Sequence, residues 1–289
     1  MNNLKDLEEA LKELPKNIFP HGSNLYTKMR RPMSSNQKDI MGQVTPFYLS
    51  IIDNAKKDNK GFDKWLKKHT VLVDTYLEFI RSNATTAFAH QSDFISSVIP
   101  EYICCILHRV VKASHPSLLV EGQRDLLIEL QFSPVSHGRL HPKLKRVDAA
   151  ISMPVNLKFQ GDDVNQFVIP IVAVEVKTNL DKNMLVGIEN SVLDLKKTFP
   201  LCKYFVISEL CDFQVEDQSY ASTKMDEIYV IRQQKRSEWR HTGRMNPISM
   251  DCIREFVQEA VKALELVDSD IPSIADRLSK GSLISWRKA

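Results

Sequence analysis

Asp148, Glu175 and Lys177 of this 289-residue chain are two acids and a base set so that a single hairpin can bring them together. They lie in RVDAAISMPVNLKFQGDDVNQFVIPIVAVEVK, residues 146–177, where two apolar, β-branched runs flank the turn signal Gly161-Asp162. An antiparallel hairpin about that turn sets Asp148 directly opposite Glu175. Opposed side chains have Cβ atoms roughly 5 Å apart, and Lys177 shares their face because strand side chains repeat every second residue. Two ionised carboxylates this close repel unless a cation intervenes, and hard oxygen donors favour Mg2+ over zinc. Such a cation polarises a phosphate oxygen and lowers the pKa of a bound water, while a neighbouring lysine orients or deprotonates that water. That is the chemistry of phosphodiester hydrolysis.

The hairpin needs a core beneath it and elements around it. Its reverse face sets Val147, Ala149, Ile151 and Met153 against Val172, Val174 and Val176, an apolar surface suited to packing under a helix. Pro154 and Pro170 fall almost opposite each other, which predicts that regular pairing stops there and a looser excursion over 155–169 begins. Asp162 and Asp163 stand nearer to Glu175 than Asp148 does, but a Gly-Asp-Asp cluster reads as a loop, as does the position of Glu121. Residues 1 to about 115 read as helical. They open on an amphipathic helix with Leu4, Leu7, Leu11 and Leu14 on one side and end on a helix beginning near Pro100. Strands follow at 125–132, 147–153 and 170–176, and Asp181 is placed to cap a helix carrying Met184, Leu185, Ile188, Val192, Leu195 and Phe199. KYFVIS at 203–208 then reads as a buried strand, so strand, helix and strand form a right-handed parallel crossover and the sheet is mixed. A strand at 228–234 and an amphipathic helix at 250–267 complete an α/β (α+β) fold.

Asp148 followed by Glu175-Val176-Lys177 resembles the PD-(D/E)xK motif, shared by many type II restriction endonucleases and repair nucleases. The order of elements from about 100 to 208 is also similar to that superfamily's restriction-endonuclease-like core: helix, meander, crossover helix, strand. Val147 stands where the motif has proline, which removes only a strand-start preference. The resemblance implies that Asp148, Glu175 and the carbonyl of Val176 bind Mg2+, that Lys177 serves the water, and that Glu101, in the helix before the meander, joins the metal site. It implies a nuclease core over 91–289 with a basic segment and closing helices, and a helical region over 1–90 for DNA recognition or dimerisation. The activity implied is site-specific cleavage of double-stranded DNA leaving 5′-phosphate ends, by a homodimer or a heterodimer with a related subunit. A repair or mobile-element nuclease, or a non-cutting DNA-binding subunit, are the alternatives on the same fold.

Composition sets bounds but does not choose among these. A net charge of +3, with 43% hydrophobic and 26% charged residues, is ordinary for a globular protein. DNA contact therefore rests on local segments. These are YTKMRRPMSSNQK, with Arg30 and Arg31, and RQQKRSEWRHTGR, where Arg232, Lys235, Arg236, Arg240 and Arg244 flank Trp239. Lys56, Lys57, Lys60, Lys64, Lys67 and Lys68 read as one solvated helix face. The five cysteines, odd in number and without a C-x-x-C pair, read as reduced core residues, and the histidines show no metal spacing. P-loop, nucleophile-elbow and dinucleotide fingerprints are absent. No signal-peptide pattern opens the chain and no stretch reads as a membrane span, so a cytoplasmic location without a membrane is expected.

Overall fold

The computed structural model describes residues 2–12, 15, 17–57, 61–83, 93–133, 139–157, 165–213, 223–267 and 278–281. Among the described residues six helices come first: α1 (Asn2–Lys12), α2 (Pro20–Met29), α3 (Ser35–Lys56), α4 (Phe62–Asn83), α5 (Asp93–Ser96) and α6 (Val98–Ser114). The meander follows as β1 (Leu119–Ser133), β2 (Arg139–Leu157) and β3 (Asn165–Leu180). Then come α7 (Lys182–Thr198), β4 (Lys203–Cys211), β5 (Glu227–Val230), α8 (Arg236–Thr242) and α9 (Met250–Val267).

Local chemistry explains the boundaries. Pro100 sits in the first turn of α6, where its missing N–H would have had no partner. Ser34 and Gln37 form a reciprocal capping box at the start of α3. The Asp181 side chain accepts from Met184 N at 2.8 Å, capping α7 as its spacing predicts. Asp181→Ala is expected to cost ~1 kcal/mol of stability, read as a lower urea midpoint with unchanged slope.

The sheet runs β1-β2-β3-β4-β5, with β1 to β3 antiparallel and β4 and β5 added in parallel, so it is mixed. One face carries Ala149, Ile151, Val172, Val174, Phe205 and Ile207 into a cluster with α6, α9 and the N-terminal helices, including Leu25, Tyr48 and Leu77. The other carries Ala150, Ala173, Tyr204 and Val206 against Leu185, Ile188, Val192 and Leu195 of α7. The sheet is thus covered on both faces, as a parallel crossover requires.

Five expectations need correction. Pairing does not stop at the prolines: a register shift between Ile151 and Ser152 brings Pro170 opposite Ser152, and the ladder continues to Leu157 and Asn165. Met153, assigned to the apolar reverse face, is 38% exposed, and the extra residue of the shift is Ile171 of β3, which joins Val172 in the α6-side cluster. Strand β5 ends at Val230, where the chain turns through Gln233 in the left-handed region, φ 47°. Phe94–Ser114 is long and apolar enough to cross a membrane, but it is mostly buried within the protein, as a core helix is. The lysine run does not lie on one helix: Lys56 ends α3, Lys57 caps it, Lys64, Lys67 and Lys68 lie on α4, and Lys60 lies outside the described residues. All five cysteines are free, and only Cys252 is not fully buried.

Arg232, placed by its sequence neighbours in a basic segment, is instead 1% exposed. Its Nε donates to Glu209 Oε2 at 2.9 Å, its Nη1 lies 2.8 Å from Asp74 Oδ1, and Nη1 also donates to the Asn246 carbonyl at 2.5 Å. Arg81 of α4 pairs with the other oxygen of Glu209. Two arginines and two acids thereby tie α4 to β4 and to the segment after β5.

Candidate active site

Sequence patterning sets Asp148 against Glu175, and the ladder carries that register: Ala149 faces Val174, Ala150 faces Ala173 and Ile151 faces Val172. Asp148 and Glu175 are the next residues beyond Ala149 and Val174. The carboxylate of Asp148 closes the arrangement, its Oδ2 accepting from Val176 N at 2.7 Å, so it caps the backbone between Glu175 and Lys177. Lys177 Nζ stands 2.9 Å from Glu175 Oε1. All three residues foreseen from the motif are therefore together on one end of the β2–β3 pair.

Two further groups join them that spacing did not show. The Tyr204 hydroxyl of β4 donates to Glu175 Oε2 at 2.5 Å. Lys145 Nζ lies 3.4 Å from the same oxygen. Tyr204 arrives because β4 pairs in parallel with Ala173 opposite Tyr204, a register that only the tertiary crossover defines. Lys145 is three residues before Asp148 and by alternation belongs on the opposite face. It reaches the site because alternation breaks on two strands at one rung. Ala149 and its partner Gly122 face α6, whereas Val147 packs with the α7-side cluster although it is only two residues away. Between them Gln123, across from Asp148, takes φ 50°. The same break removes Val147 from the reverse face assigned to it by periodicity. On that face Gly122 is closely packed: a Cβ there would lie 3.0 Å from the Asn17 carbonyl and 3.1 Å from Cys104 Sγ.

The electrostatics of the pair are unequal. Burial raises Asp148 above the usual carboxylate range, and the Val176 N–H and the Lys177 charge offset only part of that. Burial would raise Glu175 too, but the Tyr204 hydroxyl, Lys177 and Lys145 together hold it below its ordinary value. Among the described residues no group of three or more His, Cys, Asp or Glu gathers as a metal cluster. Two carboxylates held together, Asp148 on the Val176 N–H and Glu175 on Lys177, are oxygen donors of the kind that suits Mg2+. That ion binds proteins through one or two carboxylates and keeps several waters.

Glu101 is not brought to this pair. It is buried in α6, facing the N-terminal helices, with Oε2 accepting from Gly22 N at 2.9 Å and Oε1 from the Tyr48 hydroxyl at 2.8 Å. Burial pushes its pKa up to about 8, against those hydrogen bonds. The folded state therefore holds a proton that the unfolded chain releases above its ordinary pKa. Stability from this group is fully present below about pH 4.5 and lost as pH rises to about 8, a change on the order of a few kcal/mol. Glu101→Gln, whose amide oxygen can accept from Gly22 N while its Nε2 donates to the Tyr48 hydroxyl oxygen, is expected to flatten that slope in denaturant melts at pH 5 and pH 8.5. Equal slopes in the two proteins would disprove this account.

Of the basic candidates, Arg30 and Arg31 are exposed just beyond α2, with the Arg30 guanidinium 5.7 Å from the Tyr26 ring centroid. Lys235 and Arg236 are half-buried at the start of α8, Arg236 lying 3.7 Å from Asp212, and Arg240 and Arg244 are exposed. Asp162, Asp163 and the Gly161 turn lie outside the described residues. Glu121 is on β1, not in a loop, opposite Ala150 and paired with Arg124 at 3.2 Å.

Comparison with known proteins places this geometry in context. Among curated proteins there is no match. Among solved structures, a chain described as "native BbvCI A2B2 tetramer at low resolution" superposes with a TM-score of 0.61 at 22% identity, covering 92% of this chain and 97% of that one. The two share the fold. The family model described as Bpu10I restriction endonuclease matches residues 95–282, from the helix before the meander through the carboxylate hairpin to beyond α9, and the chain belongs to that restriction endonuclease family.

Proposed function

We propose that the chain is the cutting subunit of a type II restriction endonuclease, hydrolysing phosphodiester bonds of duplex DNA with Mg2+ and leaving 5′-phosphate ends. The observation that carries this reading is the convergence of Asp148, Glu175 and Lys177 around the Val176 peptide. Asp148, Glu175 and the Val176 carbonyl would hold the ion, which when bound supplies charge stabilisation at the phosphate and an acidified water. The chain's own residues do the rest. Asp148 fixes the Val176 peptide, Tyr204 and Lys177 fix the two oxygens of Glu175 and keep it ionised, and the Lys177 ammonium donates to the attacking water. Arg30, Arg31, Lys235, Arg236, Arg240 and Arg244 serve as contacts to DNA phosphates and base edges, and the helical region over 1–90 serves recognition or assembly.

A duplex has two strands, and one hydrolytic centre cuts one of them, so the active assembly holds a second subunit. The A2B2 arrangement of the structural neighbour favours a related but different chain over a second copy. Incubating the purified protein, alone and with its co-expressed partner, with a sequenced plasmid is expected to give discrete bands that require Mg2+. A smear or no cutting in both preparations would count against site-specific hydrolysis by this chain.

A further inference from the structure

Lys145 is a second cation at the candidate site with no part in the motif, and the fold makes a specific provision to bring it there. Its ammonium lies 3.4 Å from Glu175 Oε2, the oxygen that also accepts from Tyr204, while Lys177 takes Oε1 at 2.9 Å. Without the break in alternation at the Gln123–Asp148 rung, residue 145 would point toward α6. Its side chain remains about a quarter exposed, 24%, so it opens to solvent, whereas Glu175 is 9% exposed. Charges at the site balance: two carboxylates against two ammonium groups. A divalent cation bound to Glu175 leaves that balance in excess by two positive charges. The more weakly held ammonium, the longer and more exposed contact of Lys145, is then the one to yield. The excess suits a phosphodiester, which brings one negative charge and gains another as the nucleophile adds.

We propose that Lys145 is a further substrate-contacting residue: it occupies Glu175 in the free protein, competes there with the divalent cation, and passes to a non-bridging oxygen of the scissile phosphate when DNA binds. This rests on the nuclease reading above. A residue with a merely structural role would not shift cation binding and cleavage in opposite directions, and Lys145 should.

The test is Lys145→Gln in the full chain, with Lys145→Arg as the charge-keeping control. Mn2+ titrated calorimetrically into the protein without DNA is expected to bind Lys145→Gln several-fold more tightly than wild type, and Lys145→Arg as wild type does. Plasmid cleavage at saturating Mg2+, with the partner subunit present, is expected to fall at least tenfold in Lys145→Gln and to recover in part in Lys145→Arg. Unchanged Mn2+ affinity or unchanged cleavage in Lys145→Gln overturns the assignment. Wild-type protein that never cuts counts against the nuclease reading alone, because the Mn2+ titration needs no DNA and still decides the competition at Glu175.

Discussion

Lys177→Ala is expected to slow Mg2+-dependent cleavage by about 10²–10⁴-fold, the range associated with removing a group that handles a reacting proton. Metal binding should survive, because Glu175 keeps its Tyr204 hydrogen bond and its Lys145 partner and so stays ionised. Asp148→Ala should behave differently. It removes a carboxylate donor and also frees the Val176 N–H, whose partner at 2.7 Å is Asp148 Oδ2. Cleavage and divalent-ion affinity are then lost together, while DNA binding measured in EDTA persists in both variants. Single-turnover cleavage alongside Mn2+ titration separates the two patterns. Cleavage at the wild-type rate in either variant would refute the site, and loss of metal binding in Lys177→Ala would make the lysine a support for Glu175 instead of a participant in hydrolysis.

Arg232→Ala is expected to destabilise the fold by ~3–5 kcal/mol, as breaking a buried ion pair by removing one partner does. The arginine is wholly enclosed, and its removal leaves Asp74 without its pairing cation and Glu209 with Arg81 alone. Burial by itself would raise Glu209, but Arg81 and Arg232 hold its pKa below the ordinary value. Stability from that group is therefore present above its ordinary pKa and lost as pH falls through the depressed one. In the variant acid unfolding should begin at higher pH. Arg236→Ala is the control: its Asp212 partner is 3.7 Å away at the surface, and such pairs contribute under about 1 kcal/mol. Urea unfolding measures both, and a loss below 1 kcal/mol for Arg232→Ala would remove the network from the account of stability. Since Asp74 and Arg81 belong to α4 and Glu209 to β4, a large loss would also show that the N-terminal helices and the sheet unfold as one cooperative unit.

Arg232 also shows where reading by neighbourhood fails. In the sequence it heads a run of basic residues, and nothing local tells a solvated arginine from a buried one. Only the arrival of Asp74 and Glu209 from distant elements neutralises it. Glu101 is the same lesson with the opposite charge. An acid in the first turn of α6 suits the helix dipole and the motif, yet its side chain turns to Gly22 and Tyr48, contacts that depend on how α2 and α3 pack.

The hairpin register around Asp148 and Glu175, the face shared with Lys177, the cap at Asp181 and the crossover that makes the sheet mixed are all legible in the order of the residues. These follow from short-range rules: period-two alternation, turn chemistry and helix capping act between residues close along the chain or joined by one turn. Tertiary structure alone decided that Tyr204 and Lys145 complete the surroundings of Glu175, that Arg232 is interior, and that Glu101 faces the N-terminal helices. Each of these depends on packing between distant elements or, for Lys145, on a reversal of the pleat marked by the positive φ of Gln123, and alternation counted along a single strand contains no signal of either.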